Sequence, residues 1–473
     1  MIVTKFGGSS LADAGHVRKV LNIIKDNAER KVVVVSAPGK RHKSDHKVTD
    51  LLINCAMSRI NGAGAPDANG QPDGLDALLE RYRLLVVDLG LDIGEFTRIE
   101  NDIYARLDKY ESDGMSDDEF LDLMKAAGED NCAKLIAAYF NSQGLPSKYI
   151  NPKDAGFFMS ESFGNAVILR ESYDNLAGAL GGVNETIVFP GFFGYTKSGK
   201  VITFSRGGSD VTGSILAAAL DAALYENYTD VDSVFTVDPG LVANPLPLRE
   251  ITYREMRELS YGGFKVYHED ALVPVFHKGV PVYIKNTNNP SEPGTVIVKN
   301  RERQAGGSPV TGISSAGGFL CLHISKLLMN TEIGFGRKVL GIIEDENLPF
   351  EHMPSGIDNI SIILNEALAV PDKMDRIMAR LKHELHVDEV SVRGGLAIVM
   401  LVGEGMLHTV GTTARASRAL AGANINIEII NQGSSEVSLM FGIDEKDADN
   451  AVVSLYNEFF PDGVSAPPDR NSI

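Results

Sequence analysis

The apolar run KVVVVS at Lys31–Ser36 has no polar alternation and is rich in β-branched residues. Such a run predicts a strand buried on both faces of a parallel sheet. A shorter strand is predicted at Ile2–Phe6, followed by Gly7-Gly8-Ser9-Ser10 and a helical pattern to about Arg30. The chain therefore opens strand–loop–helix–strand, the beginning of an α/β fold with a mainly parallel sheet. Further strands are expected at Thr186–Phe189, Lys200–Phe204, Ala223–Tyr228 and Val280–Ile284, and a charged helical stretch from Leu75 to about Asn141. Residues 37–47 and Asn61–Gly74 read as polar, turn-rich surface segments. Gln304–Pro309 reads as a linker, which sets a first domain at residues 1–304.

After about residue 310 the pattern repeats. An offset of 77 residues pairs Gly334 with Gly411, Asn347 with Asn424, Glu351 with Glu428, Gly356 with Gly433 and Ser361 with Ser438. Ile360/Val437 and Ile362/Leu439 add matching apolar pairs. Each copy reads helix, turn at Asn, then two short strands, so two small α+β modules are expected at 310–390 and 391–473. A duplication that serves only a dimer interface would give the same pattern.

Composition narrows the class of function. A chain of 473 residues exceeds one ordinary core. With 44% hydrophobic and 23% charged residues it reads as a soluble globular protein. A formal net charge of −18 repels phosphate backbones and argues against a nucleic-acid partner. Cys55, Cys132 and Cys321 have no metal-like spacing, and an odd number of thiols suits a reducing, cytoplasmic setting. No stretch approaches the ~20 apolar residues of a membrane span, and MIVTKFGG lacks the apolar core of a signal peptide.

Two glycine loops carry the chemistry. In Lys5-Phe6-Gly7-Gly8-Ser9-Ser10, the glycines admit close backbone approach and the following helix would offer unpaired N–H groups to a phosphate. The spacing differs from a Walker A loop. In Ser205-Arg206-Gly207-Gly208-Ser209-Asp210 the arrangement recurs, with Arg206 as a fork for a carboxylate. Ser209 and Asp210 serve equally well as helix caps. Tyr228-Thr229-Asp230 and Phe235-Thr236-Val237-Asp238-Pro239 are strand-end segments that either line a crevice or simply turn.

These motifs, with SAPGK, VTDLL, FKVYH and SSEVSL, resemble the monofunctional bacterial aspartokinases of the amino-acid kinase superfamily along nearly the whole chain. The resemblance implies an αβα sandwich followed by two ferredoxin-like ACT modules. It also implies ATP-dependent phosphorylation of L-aspartate on its β-carboxylate, the entry to lysine, threonine and methionine biosynthesis. Lys5, Gly7 and Gly8 would cradle the ATP phosphates, with Lys265 as a second cation and Asp210 orienting them. Ser36, Thr49, Glu129, Arg206, Gly207 and Ser209 would bind aspartate. Thr229, Asp230, Phe235 and Val266 would line the nucleotide pocket, with Mg2+ arriving on ATP. Met329, Asn330, Gly334, Phe335, Glu351 and Ser355 would bind an amino-acid effector, lysine or threonine or both. A homodimer or dimer of dimers is implied.

Some positions depart from the family pattern. Phe235 stands where relatives often have Tyr, Gly240 where many have Arg, and the segment Ala126-Ala127-Gly128-Glu129 lacks a Ser two residues before Gly128. Competing readings are a kinase for another acid or a carbamate, a sensor that keeps a kinase fold, and an ACT-bearing dehydrogenase. Against the last, Gly334-Phe335-Gly336 lacks the third glycine of a dinucleotide loop and lies in the wrong region.

Overall fold

The computed structural model describes residues 1–62, 74–205, 207–264, 266–301, 308–407, 409–433 and 437–461. Two compact units result, and the chain passes between them more than once. Met1–Val234, Pro247–Met256 and Lys265–Arg301 make the first; Phe235–Leu246, Arg257–Phe264 and Glu302–Ile473 make the second. This differs from one cut at residue 304. The reason is local: Val237 and Val242 are buried in one apolar core with Ile313, Ala397 and Leu401, and Ile313 N–H donates to Thr236 O at 2.7 Å.

In the first unit an eight-stranded sheet runs, in spatial order, Glu250–Thr252, Thr295–Val298, Val282–Asn286, Leu224–Thr229, Ile2–Phe6, Arg30–Val35, Thr186–Pro190 and Ser147–Tyr149. Only Val282–Asn286 against Thr295–Val298 is antiparallel. The valine run sits near the centre, and Val32 to Val35 are almost wholly buried. Each such side chain contributes about 1.5–3 kcal/mol by leaving water. The expected strand at 200–204 forms as Val201–Thr203, but in a separate hairpin with Phe193–Tyr195.

Strand alternation sorts the faces. Phe6, Val33, Val35 and Tyr228 pack in one core with Val17 and Val20 of the helix Ala14–Asp26 and with Ala133 and Ile136 of the helix Asp117–Ser142. Lys5, Tyr225 and Asn227 point the other way, where the helix Gly208–Ala219 lies; Tyr225 Oη donates to Asp210 O at 3.2 Å. Helices thus cover both faces, as expected of the sandwich.

The second unit is the repeat made solid. Strands Gly312–Ser325 and Glu389–Val402 correspond residue for residue at the 77-residue offset, as do the helices Phe335–Asp345 and Thr412–Gly422. Asn347 and Asn424 both take left-handed conformations, φ 53° and 58°. The two long strands pair antiparallel along their whole length within a five-stranded antiparallel sheet. Each contributes to both modules. Leu320, Leu322 and Ile324 enter one core, whereas Ile313 from the same strand enters the other with Ala397, Val399 and Leu401. Both strands break register at a glycine pair, Gly317-Gly318 and Gly394-Gly395, with Gly318 at φ 81° and Gly395 at φ 70°. That conformation strains an L side chain. We expect Gly318→Ala to lower the unit's stability by about 1 kcal/mol, read as a fall in denaturation midpoint; an unchanged midpoint would remove the argument from backbone strain. No helix among the described residues is long and apolar enough to cross a membrane.

Candidate active site

Of the expected residues, Lys5, Ser36 and Thr229 stand at or just beyond the carboxyl ends of parallel strands. Lys5 is next to last in its strand and 7% exposed. Its Nζ lies 2.6 Å from Asp210 Oδ1 and donates a longer bond, 3.4 Å, to Asn227 Oδ1. Asn227 Nδ2 donates to the same Asp210 Oδ1 at 2.7 Å. A buried ammonium needs such a partner, because its desolvation is uncompensated otherwise. Asp210 is held in the first turn of its helix, whose cap is Gly207. Ser209 and Asp210 are therefore not caps: the Asp210 carboxylate is engaged by Lys5 and Asn227, and buried Ser209 packs against Gly191.

The first glycine loop differs from expectation. Gly8–Leu11 forms one turn of 3-10 helix, and the α-helix starts only at Ala14. Asp13 caps it, accepting from His16 N–H at 2.9 Å, so the α-helix N-terminus does not sit at the glycine pair. The polar Ser9-Ser10 and the cap at Asp13 favour this later start. Gly8 instead crosses a second loop: Gly39 N–H donates to Gly8 O at 2.8 Å, and a Cβ on Gly8 would stand 2.9 Å from Ala37 O. Gly7 N–H is bound to Tyr228 O at 3.1 Å, and Gly7 lies over the Lys5 ammonium.

Buried Arg81 pins that second loop. It donates to Ala12 O at 3.0 Å and also to Gly39 O and the Asp45 carboxylate. Arg41 and Arg81 together hold the Asp45 carboxyl well below the usual carboxylate range.

Glu129 sits mid-way along the 26-residue helix Asp117–Ser142 and is 5% exposed. Its Oε2 has no hydrogen-bond partner. Burial pushes its carboxyl up to about 8, against the pull of the Ala37 N–H and its own. A Cβ on neighbouring Gly128 would lie 2.8 Å from Ala37 Cβ and 3.6 Å from Val48 Cγ1. Glu129 is thus brought beside Ser36-Ala37 and the start of the helix Val48–Ile60 that carries Thr49. Ser36 N–H donates to Phe6 O at 3.2 Å, which ties this group to the Lys5 strand. Gly191, bonded to Val35 O at 2.9 Å, packs on Ser209. Asp122, on the same helix as Glu129, accepts from Gly164 N–H, Thr203 N–H and Thr203 Oγ1 at 2.8, 2.9 and 2.8 Å and fixes the helix in place.

Thr229 closes its strand and donates to exposed Asp230 at 3.1 Å. Val266 is half-buried in the first unit, whereas Phe235 groups with the second. Arg206 and Lys265 lie outside the described residues. Among the described residues no group of three or more His, Cys, Asp or Glu could hold a metal ion.

Comparison with known proteins decides the family. The model of the amino acid kinase family matches residues 1–286, and that of the ACT domain matches residues 399–459. The chain is 52% identical over 460 residues to Aspartokinase 3 of Bacillus subtilis (strain 168), covering 97% of this chain and 99% of that protein. This chain belongs to the aspartokinases. The aspartate kinase read from the sequence is borne out, as is its fold. Clostridium acetobutylicum aspartate kinase superposes with a TM-score of 0.78 at 38% identity, over 97% of this chain and all of that one. The E. coli aspartokinase III solved with aspartate and ADP shares the fold, with a TM-score of 0.80 at 23% identity over 97% of this chain and 100% of that one.

In the second unit of this aspartokinase the expected effector residues converge in part. Met329 and Phe335 are buried, and Gly334 caps the helix Phe335–Asp345 at φ 77°. Lys326 Nζ stands 5.2 Å from the Phe335 ring centre. Asn330 and Ser355 are exposed. Glu351 is already engaged: Tyr261 Oη donates to its carboxylate. Its counterpart Glu428 pairs with Arg393. The second copy holds a cavity of about 310 Å³ lined by Met406, Thr409, Gly411, Thr412, Gln432 and Gly433. At the 77-residue offset four of these match Met329, Gly334, Phe335 and Ser355. Ser434, Ser435 and Glu436, in the SSEVSL motif, lie outside the described residues.

Proposed function

We propose that the enzyme transfers the γ-phosphoryl group of ATP to the β-carboxylate of L-aspartate, giving 4-phospho-L-aspartate and ADP. The observation that carries this is the Lys5 ammonium fixed by Asp210 at the strand ends, in the unit that also buries Glu129 with one carboxylate oxygen free. Aspartate's side chain, with a free pKa of ~3.9, is ionised at neutral pH and needs no general base. A carboxylate oxygen attacks the γ-phosphorus, the bond to the β-γ bridging oxygen breaks, and ADP departs with that electron pair. The barrier is the approach of an anion to a polyanion, so catalysis is positioning and charge neutralisation. Lys5 supplies the fixed cation, and the resemblance adds Lys265 and places Arg206 on a substrate carboxylate. Glu129 would take the substrate ammonium. The divalent ion enters with the nucleotide.

Hydroxylamine traps an acyl phosphate as a hydroxamate. Incubation with ATP, Mg2+ and aspartate should give hydroxamate and ADP in equal amounts. ADP release without hydroxamate, or equal rates with glutamate, would overturn the assignment.

We place feedback control, by lysine or threonine, at the ACT modules of an oligomeric, cytoplasmic enzyme at the head of the aspartate-derived amino-acid pathway. The Tyr261–Glu351 hydrogen bond supports a coupling route, because Tyr261 lies four residues before Lys265. An effector ammonium that takes Glu351 Oε2 competes with the Tyr261 hydroxyl for that oxygen. Tyr261→Phe removes that competition, worth about 1 kcal/mol, so half-inhibition should need roughly fivefold less effector. Inhibition curves with lysine and threonine, separately and together, in wild type, Tyr261→Phe and Glu351→Ala check this. A Tyr261→Phe curve superimposable on wild type would dismiss the route.

A further inference from the structure

The strand Leu224–Thr229 reads LYENYT and lies between two other strands of the sheet. Interior positions of such a strand are ordinarily apolar. Asn227 breaks that rule: it is 1% exposed and stands in register beside Lys5. A buried amide without partners is costly, yet both ends of this one are spent on the charged pair next to it. Nδ2 donates 2.7 Å to Asp210 Oδ1, the oxygen that also holds the Lys5 ammonium at 2.6 Å. Oδ1 faces Lys5 Nζ at 3.4 Å.

We propose that Asn227 is a positioning residue for phosphoryl transfer, acting through Lys5 and Asp210. Its donated bond fixes the rotamer of Asp210, and with it the direction in which Asp210 aims the ammonium. That bond also occupies part of the carboxylate's accepting capacity, so Asp210 anchors Lys5 without claiming more than one of its three protons. The second contact, from Lys5 to Asn227 Oδ1, is long and neutral. It can be given up to a phosphoryl oxygen without leaving a charge unpaired. A carboxylate at the same place would hold the ammonium from two sides and neutralise the cation the reaction needs. An aliphatic residue would leave Asp210 free to turn.

This inference rests on the aspartate kinase reading, and the hydroxamate assay on wild type tests that reading separately. The experiment is steady-state kinetics with thermal denaturation on the full chain, for Asn227→Leu, Asn227→Asp and the exchange variant Asp210→Asn/Asn227→Asp. For Asn227→Leu we expect kcat to fall about 10- to 100-fold, with both KM values within threefold of wild type. Asn227→Asp should lose at least 100-fold in kcat. The exchange variant restores one carboxylate and one amide around Lys5, and it should recover at least tenfold over Asn227→Asp. Rescue of this kind is not expected of a residue that merely fills the core. Should Asn227→Leu fail to fold, the comparison of Asn227→Asp with the exchange variant decides alone. An Asn227→Leu enzyme within twofold of wild-type kcat, or an exchange variant no better than Asn227→Asp, would overturn the proposal.

Discussion

Lys5→Ala is expected to leave a folded protein whose turnover is lower by about 100- to 1000-fold, equivalent to about 3–4 kcal/mol of transition-state stabilisation. The expectation follows from preorganisation. The ammonium is buried and held at 2.6 Å by Asp210, so little reorganisation is needed as charge develops on the transferring group. The loss should appear in kcat more than in either KM, because the interaction strengthens as the phosphoryl oxygens separate from ADP. Removing Lys5 also leaves Asp210 next to Asn227 without its cation, which costs stability. Lys5→Met keeps more of the volume and separates the two effects: it should be as slow as alanine but closer to wild type in denaturation midpoint. Turnover within tenfold of wild type in either variant would take Lys5 out of the phosphate clamp.

Much of this arrangement is legible in the chain because it follows local rules. The unbroken valines of Arg30–Val35 can only be satisfied between two helix layers, and the strand Ile2–Phe6 is bounded by glycine on its exit. The repeat was visible through Gly334/Gly411 and Asn347/Asn424, positions where the backbone takes a left-handed conformation and the side-chain choice is narrow. Gly317-Gly318 and Gly394-Gly395 obey the same offset and give the clearest signal of the two long strands, but a pair of glycines flanked by ordinary residues reads as a turn until the pairing partner is known.

What stayed hidden depends on distant residues. Arg81 looks like one more charge on a helix; only the fold brings Ala12 O, Gly39 O and Asp45 around it. Asp122 is likewise silent until Thr203 and Gly164 arrive from more than forty residues away. Asn227 did leave a trace, an amide beside Glu226 inside a central strand of the sheet, and that signal becomes specific only beside Lys5. The first α-helix starts at Ala14 and not directly after the glycine pair, because Gly7 to Ser10 satisfies turn and helix alike and the Asp13 cap decides between them.

Glu129→Gln should separate binding from folding by moving them in opposite directions. With its carboxyl pushed up to about 8 by burial, wild-type Glu129 is mostly protonated in the free enzyme at pH 7. A substrate ammonium pairs with the carboxylate, so kcat/KM for aspartate should rise as pH increases, approaching tenfold per unit below about 8, and then level off. The same quantity for ATP should lack that limb. At saturating aspartate the limb should shift to lower pH, because the bound ammonium favours the ionised form. Glutamine cannot ionise: kcat/KM for aspartate should fall about 100-fold or more, from loss of a buried charge partner, and its rise with pH should vanish. Stability runs the other way. The folded-state value of about 8 lies above the ordinary 4.5, so the favourable contribution of the buried acid is complete below about 4.5 and is lost as pH rises through 8. Glu129→Gln should therefore gain denaturation midpoint relative to wild type between pH 6 and 9 while losing aspartate selectively. A glutamine variant that keeps the pH-dependent limb, or that weakens ATP and aspartate equally, would move Glu129 out of the aspartate site.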